Sequence, residues 1–469
     1  MQVHSMHFKQ TASEKLNDAV LQNAMKKAKG KFVDGRAKGV AEVDNWEAIR
    51  TYAAALRNRV IDNLDAYLIE FERNAERRGS KVYWAETAEE ANAIVVGIAR
   101  QNSVRTVTKS KSMVTEEIAL NAALEGAGIR VLETDLGEYI LQLAKEPPSH
   151  IVAPAVHKSK EQVAALFAEA HHKPLLTDIP AMTREAREEL RAHFLGADMG
   201  ISGANFVIAE TGTTLTVTNE GNADLVTTIP RIHCVVTGIE KVIPTLEDFA
   251  TLIRLLPRSA IGQSISNYLT LTTGVKLPDE SDGPEQMHIV LVDAGRTKLV
   301  GSDMKDMLRC IRCGACMNHC PVYQNIGGHA YGWVYPGPMG SVLTPTYVGI
   351  ENAGDLPNAA TFCGECAVVC PVKIPLPDLM RKWRERQFDG HLRPFSERFP
   401  MQVWGFFAQR PALYAWSSRI GARIGAWMGG RDKLIHKLPG IDGWTDGRDM
   451  PAPAGKTFRE LYAARKAGK

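Results

Sequence analysis

The 469-residue sequence has no strong excess of either charge, no long apolar run and few cysteines outside one segment. A net charge of +3 gives the whole chain little attraction for a polyanion, so nucleic acid binding is not expected. No stretch of 18 apolar residues occurs, which excludes a transmembrane helix from the prediction. The N-terminal residues lack the apolar region of a signal peptide, so we expect a cytoplasmic, reducing location.

The motifs of several common enzyme classes are also missing. No G-x-G-x-x-G follows an apolar strand, and no Walker A loop, H-E-x-x-H or G-x-S-x-G is present. The chain therefore lacks the sequence motifs by which a nicotinamide or flavin site, a P-loop NTPase, a zinc protease or a serine hydrolase is usually recognised.

Seven of the eight cysteines fall within 61 residues, which favours metal ligation over disulfides. The stretch 310-CIRCGACMNHCP-321 is a complete C-x2-C-x2-C-x3-C-P run, the pattern of bacterial ferredoxins. The stretch 360-ATFCGECAVVCP-371 repeats it with Ala360 in place of the first cysteine. A zinc site is the alternative, but this spacing followed by proline does not suit a zinc ribbon. The sequence therefore predicts two iron–sulfur clusters.

In such runs the fourth cysteine binds the other cluster. We therefore predict two ligand sets, which are Cys310, Cys313, Cys316 and Cys370 for the first cluster and Cys320, Cys363 and Cys366 for the second. The first cluster is expected to be 4Fe-4S. Because alanine has no donor atom, the second is either a 4Fe-4S cluster with an incomplete cysteine set or a 3Fe-4S cluster. Water, a substrate oxygen or a side chain such as His329 is a candidate for the vacant corner. Cys234, alone in the apolar run IHCVVTG, is predicted to be a small buried hydrophobe.

Four regions are predicted along the chain. These are a helical segment over 1–77, an α/β domain over 78–300, a ferredoxin-like domain over 301–388 and a basic, Trp-rich tail over 389–469. In the second region, short apolar strands alternate with helical runs, which predicts a parallel sheet. Within it we expect a buried strand at 149-SHIVAPAV-156 and a single helix over 115–128. We also expect a β-hairpin where a Thr-Gly turn separates NFVIAE from TTLTVTNE.

Several stretches resemble the lactate utilisation protein B family. They are KSKSMVTEEI (109–118), ANFVIAETGTTLTVTNEGN (204–222), GPEQMHIVLVDAGR (283–296), IGGHAYGWVYPGPMGSVLTP (326–345) and RDMPAPAGKTFRELY (448–462). The resemblance implies an α/β lactate-utilisation domain, similar to folate cyclo-ligase and CoA-transferase-like folds, joined to a mostly α-helical ferredoxin-like iron–sulfur domain. It also implies an electron-transfer subunit that works with the other subunits of a system oxidising L-lactate to pyruvate.

Two other functions stay open on the residues alone. The α/β domain would act as a transferase- or ligase-like enzyme with purely structural clusters, or the chain would be an assembly scaffold. Clusters that change charge reversibly would favour electron transfer over both. Because no flavin or nicotinamide motif is present, we expect the chain to need partner proteins for lactate oxidation.

Three polar residues are candidates for the substrate site. Lys109 and Lys111 end a predicted strand and precede a helix, and ligands of open α/β sheets bind at such strand ends. A nearby helix N-terminus favours a carboxylate such as that of lactate, although pairing of the lysines with the following glutamates is equally compatible. Glu210 follows the apolar run FVIA, where an unpaired acid is costly. We expect Glu210 to pair with Lys109 or Lys111, or else to act as a base toward a substrate hydroxyl.

The tail is basic, with 18 Lys and Arg against 9 Asp and Glu from residue 376 onward. Residues 399–430 combine aromatic and apolar side chains with three arginines. Such a segment suits docking on partner subunits or contact with the inner face of the cytoplasmic membrane. The remaining possibility is a helical pair that packs on the chain's own core.

Overall fold

The structure is a computed structural model that describes residues 3–438, 445 and 447–468. The described chain divides between Glu385 and Arg386 into two compact units. The first unit contains the N-terminal helices, the α/β region and the cysteine segment together. The second contains the tail. The predicted domain boundaries inside the first unit stay predictions.

A six-stranded sheet, parallel throughout, forms the centre of the first unit. Near-continuous apolar runs suit such strands, because helices cover both faces of a parallel sheet. In spatial order the strands are β1 (Ser80–Ala85), β10 (Gln286–Val292), β7 (Ile232–Gly238), β4 (Met199–Ser202), β2 (Thr106–Lys109) and β3 (Arg130–Glu133). The predicted α/β fold is therefore confirmed. Cys234 lies fully buried in β7, where burial raises the pKa of its thiol to about 12.

A second sheet of four strands carries the predicted hairpin. Its strands in spatial order are β8 (Val242–Ile243), β5 (Phe206–Ile208), β6 (Thr213–Thr218) and β9 (Tyr268–Thr272). Strands β5 and β6 are antiparallel, with Phe206 opposite Leu215, which confirms the hairpin.

Thirteen helices precede the cysteine segment in the described chain. They are α1 (Phe8–Leu16), α2 (Ala19–Lys29), α3 (Gly35–Ala41), α4 (Trp46–Asp62), α5 (Leu64–Arg77), α6 (Ala88–Gln101), α7 (Met113–Glu117), α8 (Leu120–Gly126), α9 (Leu136–Ala144), α10 (Lys160–His171), α11 (Ile179–Leu195), α12 (Asn222–Thr228) and α13 (Leu246–Ile261). The single helix predicted over 115–128 is wrong. It breaks between α7 and α8, because Ala119 adopts a left-handed conformation with φ of 56°.

The cysteine segment is mostly helical. Its helices are α14 (Thr297–Val300), α15 (Ala315–Asn318), α16 (Pro321–Ile326), α17 (Gly337–Val348), α18 (Glu365–Val368) and α19 (Leu376–Asp389). Short helices and turns suit a segment whose backbone must bend repeatedly around a group of thiols.

Residues 149–156 form turns, so the strand predicted there is wrong. The buried ring of His150 accepts hydrogen bonds at Nδ1 from the backbone N–H groups of Val152 and Ala153, at 2.9 and 3.0 Å. The N–H of Ser149 donates to the carbonyl of Pro154 at 3.1 Å. These local bonds occupy the backbone groups that a strand would need for its neighbours.

The N-terminal helices are bonded directly to the backbone of the cysteine segment. Arg50 of α4 donates to the carbonyl oxygens of Cys370 and Val368, at 2.6 and 2.7 Å. The fully buried Arg57 donates to the carbonyl of Leu308 at 3.0 Å. Because buried carbonyl groups need partners, these arginines stabilise the backbone of the cysteine segment.

The second unit contains α20 (Phe395–Ala408), α21 (Pro411–Met428) and α22 (Phe458–Ala467), with the short strands β11 (Leu434–Ile435) and β12 (Met450–Pro451). Helices α20 and α21 pack on each other as a hairpin, and no side chain in either is buried. Trp404, Trp416 and Trp427 are 58%, 59% and 82% exposed. Across the described residues, no helix is long and apolar enough to cross a bilayer.

Candidate iron–sulfur site and the adjoining cleft

The two cysteine loops, 310–321 and 360–371, have matching backbones fifty residues apart. Arg312 and Phe362 occupy the same position and have φ of 57° and 56°. Gly314 and Gly364, two residues later, have φ of 77° and 86° and begin α15 and α18. Such left-handed positions turn the chain tightly enough to point successive cysteines inward.

The seven thiols lie in two groups, as judged by which thiols raise one another's pKa. The first thiol group consists of Cys310, Cys313, Cys316 and Cys370. The second thiol group consists of Cys320, Cys363 and Cys366. Cys316 also interacts with Cys366, so the two groups adjoin. The fourth cysteine of each loop therefore lies beside thiols of the other loop.

This donor set fits iron–sulfur clusters. All the cysteines are free thiols. Burial raises the pKa of the Cys313 thiol. Burial and the nearby Cys320 raise the pKa of the Cys366 thiol to about 12. Thiolates at these positions therefore require the positive charge of a metal. Backbone N–H groups already point at sulfur, from Arg312 to Cys310 Sγ at 3.4 Å and from Ile374 to Cys370 Sγ at 3.3 Å. Hydrogen bonds to sulfur are one means by which proteins tune a cluster.

Ala360 occupies the position that Cys310 has in the first loop. Its carbonyl accepts a hydrogen bond from Arg384 at 3.3 Å, and the Arg384 guanidinium lies 4.1 Å from the centre of the Phe362 ring. A guanidinium has no lone pair for iron. His329, the suggested substitute ligand, donates from Nε2 to the carbonyl of Pro147 at 2.8 Å, and its role at the vacant corner stays a prediction.

The two thiol groups differ in exposure. Cys313 of the first group is buried. In the second loop Cys363 is exposed and the neighbouring Val368 is 64% exposed. Cys320 and Cys366 are buried, so the second thiol group reaches the protein surface through Cys363.

A cleft of about 610 Å³ adjoins the first cysteine loop. Its walls come from the chain following β2 (Ser110–Ser112), the chain following β4 (203–205) and the turns at 151–156, and Arg312 and Cys313 form part of its lining. Carboxyl ends of parallel strands are the usual place for a ligand in an open α/β sheet. The cleft thus places such a site directly against the first thiol group.

Cationic side chains line this cleft. Lys111 donates to the carbonyl of Val152 at 3.0 Å, which leaves its other protons free to meet a ligand. Lys241, on the turn between β7 and β8, is only 6% exposed. Burial and the nearby Arg312 lower the pKa of Lys241 to about 8.

An acidic pair lies in the same cleft. Burial, reinforced by Asp135, raises the pKa of Glu220 to about 7. The N–H of Leu136 donates to Glu220 Oε2 at 3.1 Å and holds the carboxylate in place. A carboxyl group with a pKa near 7 can take up or release a proton at neutral pH, which suits general acid–base chemistry.

Lys109 does not have the predicted substrate role. It is fully buried beneath the strand ends, with its ammonium 2.8 Å from Glu116 and 2.9 Å from Glu133. Burial opposes its charge, yet these carboxylates hold the pKa of Lys109 well above its ordinary value. Lys109 therefore has the pairing with the following glutamates that was the alternative, and of the two predicted lysines Lys111 alone lines the cleft.

The expected pairing of Glu210 with a lysine is wrong as well. Glu210 is exposed, and its Oε1 accepts a hydrogen bond of 2.6 Å from the N–H of Leu246, the first residue of α13. An acid at a helix N-terminus satisfies a free N–H group and complements the helix dipole. Glu210 is therefore a helix cap.

The sequence patterns did not identify Lys241. They included Glu220 only as the last residue of the predicted hairpin segment TTLTVTNE. A signal for Lys241 exists in 238-GIEKVIP-244, where a charged pair interrupts two apolar runs. Charged residues in such a position are rarely buried unless they have a partner or a ligand.

Three family models match the chain: LUD domain over residues 68–292, 4Fe-4S dicluster domain over 306–374, and lactate utilisation protein B, C-terminal, over 382–467. Lactate utilization protein B of Oceanobacillus iheyensis is 41% identical over 470 residues, covering 100% of this chain and 98% of that protein. The protein of the same name from Lysinibacillus sphaericus is 43% identical over 471 residues, covering 100% and 99%. The chain belongs to the lactate utilisation protein B family. The dicluster match also shows that the cysteine segment is an iron–sulfur domain.

A crystal structure of a DUF162 family protein from Deinococcus radiodurans is also similar, at 16% identity. It covers 49% of this chain and 98% of that chain, with a TM-score of 0.27, too low to support an argument. The predicted likeness to folate cyclo-ligase and CoA-transferase-like folds stays a prediction.

Proposed function

We propose that the chain is the iron–sulfur electron-transfer subunit of a multi-subunit assembly that oxidises L-lactate to pyruvate. The observation that carries this proposal is the position of the first thiol group, between a ligand-sized cleft and a second thiol group whose Cys363 is exposed. The names of the family and of its curated members indicate the substrate.

We assign the first thiol group to a 4Fe-4S cluster. The second thiol group would hold a 4Fe-4S cluster lacking a cysteine at one corner, or a 3Fe-4S cluster. When bound, such clusters accept and release electrons one at a time. Exposure of Cys363 supports delivery of electrons from the second site to a partner.

The overall reaction sets what the protein must handle. One O–H and one C–H bond of lactate break and a C=O bond forms, so two protons and two electrons are released. Two one-electron sites match one turnover, and a redox protein of the assembly is the final acceptor. Glu220, with its pKa of about 7, is the residue in the cleft best suited to accept the hydroxyl proton.

The hairpin of α20 and α21 is the proposed attachment to the other subunits or to the inner face of the cytoplasmic membrane. Exposed tryptophans and interspersed arginines are typical anchors of such contacts. A docked hairpin would keep the chain beside the proteins that receive its electrons.

Anaerobic co-purification from native cells tests the proposal. We expect the chain to bring its partner subunits with it, and we expect lactate to reduce the clusters of the assembly, as seen by EPR. The isolated, cluster-loaded chain should show no lactate turnover with an artificial acceptor. Clusters that stay silent in a reversible redox titration would rule out electron transfer and leave them a structural role.

A further inference from the structure

Lys241 is a largely buried cation whose side chain lines the cleft. Among the residues that the structure describes, no hydrogen bond or ion pair reaches its ammonium, although the side chain is 6% exposed. The adjacent acid, Glu240, is already committed. Its carboxylate accepts a hydrogen bond from Arg296 Nε at 2.6 Å and lies 3.4 Å from Arg312 Nη2. The ammonium of this nine-tenths buried residue lines the cleft, and Glu240 supports its charge only at a distance, so an anion in the cleft can take the position of a direct partner.

The charges nearby point in the same direction. Arg312 and Lys111 line the cleft with Lys241, and Arg312 lowers the pKa of Lys241, as like charges do at short range. The two acids of the cleft, Glu220 and Asp135, interact with each other, and Glu220 also interacts with Lys111. The Lys241 end of the cleft thus carries positive charge beside the first cysteine loop, and the acids form a separate pair.

We propose that Lys241 binds the carboxylate of a 2-hydroxy or 2-oxo acid in this cleft. The inference rests on the proposed function for the choice of acid, and on the unpaired ammonium for the site. The cleft is larger than a three-carbon acid needs, so a fixed charge is required to hold a small substrate in one place. Bound there, the acid lies next to the loop that carries Cys313.

A counter-charge role toward the first cluster is the competing explanation, since Cys310 also acts on the Lys241 charge. The two roles differ in what they predict. A carboxylate anchor changes ligand affinity in proportion to the ligand's charge. A counter-charge changes the reduction potential of the cluster and leaves pyruvate binding alone.

The test is calorimetric titration of the anaerobic, cluster-loaded full chain with pyruvate, which binds without turnover. We expect Lys241→Met to weaken pyruvate binding by at least about tenfold, as expected for loss of one partner of a buried charge pair. Lys241→Arg should retain most of the affinity. Lys31→Met is the matched control, because Lys31 is an exposed lysine on the rim of the same cleft, and it should stay within about twofold of the native chain.

Methyl pyruvate, which has no carboxylate, provides the second arm. It should bind the native chain and Lys241→Met equally. Equal pyruvate affinity in the native chain and in Lys241→Met overturns the proposal, as does absence of pyruvate binding to the native chain. Iron content and the unfolding temperature identify misfolding of Lys241→Met, in which case Lys241→Arg against Lys241→Gln gives the same comparison. Lysine-dependent pyruvate binding with redox-silent clusters would refute the proposed electron transfer and leave this site in place.

Discussion

The two cysteine loops share a backbone but differ in ligands and surroundings. Both turn at a left-handed residue and a left-handed glycine, and both lead into a four-residue helix. The second loop keeps this shape with Ala360 where the first has Cys310. The backbone conformation is therefore set by its turn residues and not by a full set of thiols. The first loop faces a charged cleft, whereas the second reaches the surface at Cys363, and the proposed function assigns these two loops to the two ends of an electron path.

The largest expected effect comes from removing one cysteine from each of the two thiol groups. Cys370→Ala should abolish lactate-dependent reduction, because it takes a ligand from the buried group beside the cleft. Cys363→Ala should leave the first cluster reducible by lactate and block delivery to the partner. Iron analysis and EPR of the assembly measure both.

Cys234→Ala is the control, since that cysteine lies in the central sheet, and its iron content should equal that of the native protein. If Cys370→Ala and Cys363→Ala abolish the same EPR signal, the division into two sites is incorrect.

Changes in the protonation of Glu220 should affect lactate oxidation in the cleft and leave the clusters themselves unchanged. The Glu220 carboxyl group has its pKa raised to about 7 by burial and Asp135, with Lys111 acting in the opposite direction. Only the deprotonated form accepts a proton, so lactate oxidation should rise as pH increases through about 7. Glu220→Gln should lower the rate by roughly 100-fold and remove that rise. Steady-state rates from pH 5.5 to 8.5 measure it, as about one and a half units on either side of the pKa cover the titration.

Dithionite reduction of the same variant is the control, because it bypasses the cleft and should be unchanged. A Glu220→Gln profile that still rises near pH 7 would assign the ionisation to another group.

Changes in the hairpin of α20 and α21 should affect only the attachment to partners or membranes. Trp404→Glu with Trp416→Glu places charge on its exposed aromatic surface and should release the chain from partners or membranes. Both clusters should stay intact, because these residues lie in the second unit. Pull-down yield and cell fractionation give the measurement. Trp84→Glu, at a partly exposed tryptophan of β1, is the matched control.

Retention of partners by the double variant would remove the hairpin as the attachment. Deleting residues 399–430 is a second route to the same result, and an insoluble product there would favour a structural role for the hairpin.

Ala360→Cys would make the loops equivalent. The native second cluster should give a three-iron EPR signal on mild oxidation, since one corner lacks a thiolate. The added cysteine should suppress that signal and raise the iron count, with little change at the first cluster. Two air-stable four-iron clusters in the native chain, unaffected by the substitution, would show that another protein group already fills the corner.

The smallest effect concerns the shared turns. Gly314→Ala and Gly364→Ala each place a side chain at positive φ, which should cost about 1–2 kcal/mol of unfolding free energy. A Cβ at Gly314 would also come within 3.4 Å of Ile151, whereas Gly364 has open space. Gly314→Ala should therefore be equal or slightly worse in denaturant unfolding. A neutral result at both would mean that the turns are not strained.

The sequence predicted those elements whose formation depends on residues close together in the chain. Apolar runs in strands such as β7 and β10, the Thr-Gly hairpin and the cysteine spacing each depend on neighbours in sequence. Strand β4 was missed, because its GISG run looks like a turn. Gly200 is needed there for packing, since a Cβ would lie 1.9 Å from the carbonyl of Val226.

The polar residues could not be placed in the same way. Lys109 pairs with Glu133 because the carboxyl ends of β2 and β3 are neighbours in the sheet, and Glu210 caps a helix that begins 36 residues later. The role proposed for Lys241 depends on the hydrogen bonds and ion pairs that Glu240 makes with arginines from two other segments. Such pairings are set by tertiary contacts, which local sequence patterns do not report.

The bond from Arg50 to the carbonyl of Cys370 spans 320 residues. During synthesis, the helix that carries Arg50 leaves the ribosome long before its partner exists. The apolar face of α4 and its buried arginines must then wait for the cysteine segment, a period in which exposed surface invites aggregation. Folding of the first unit is completed by its end rather than its beginning, and such long-range closure is slow.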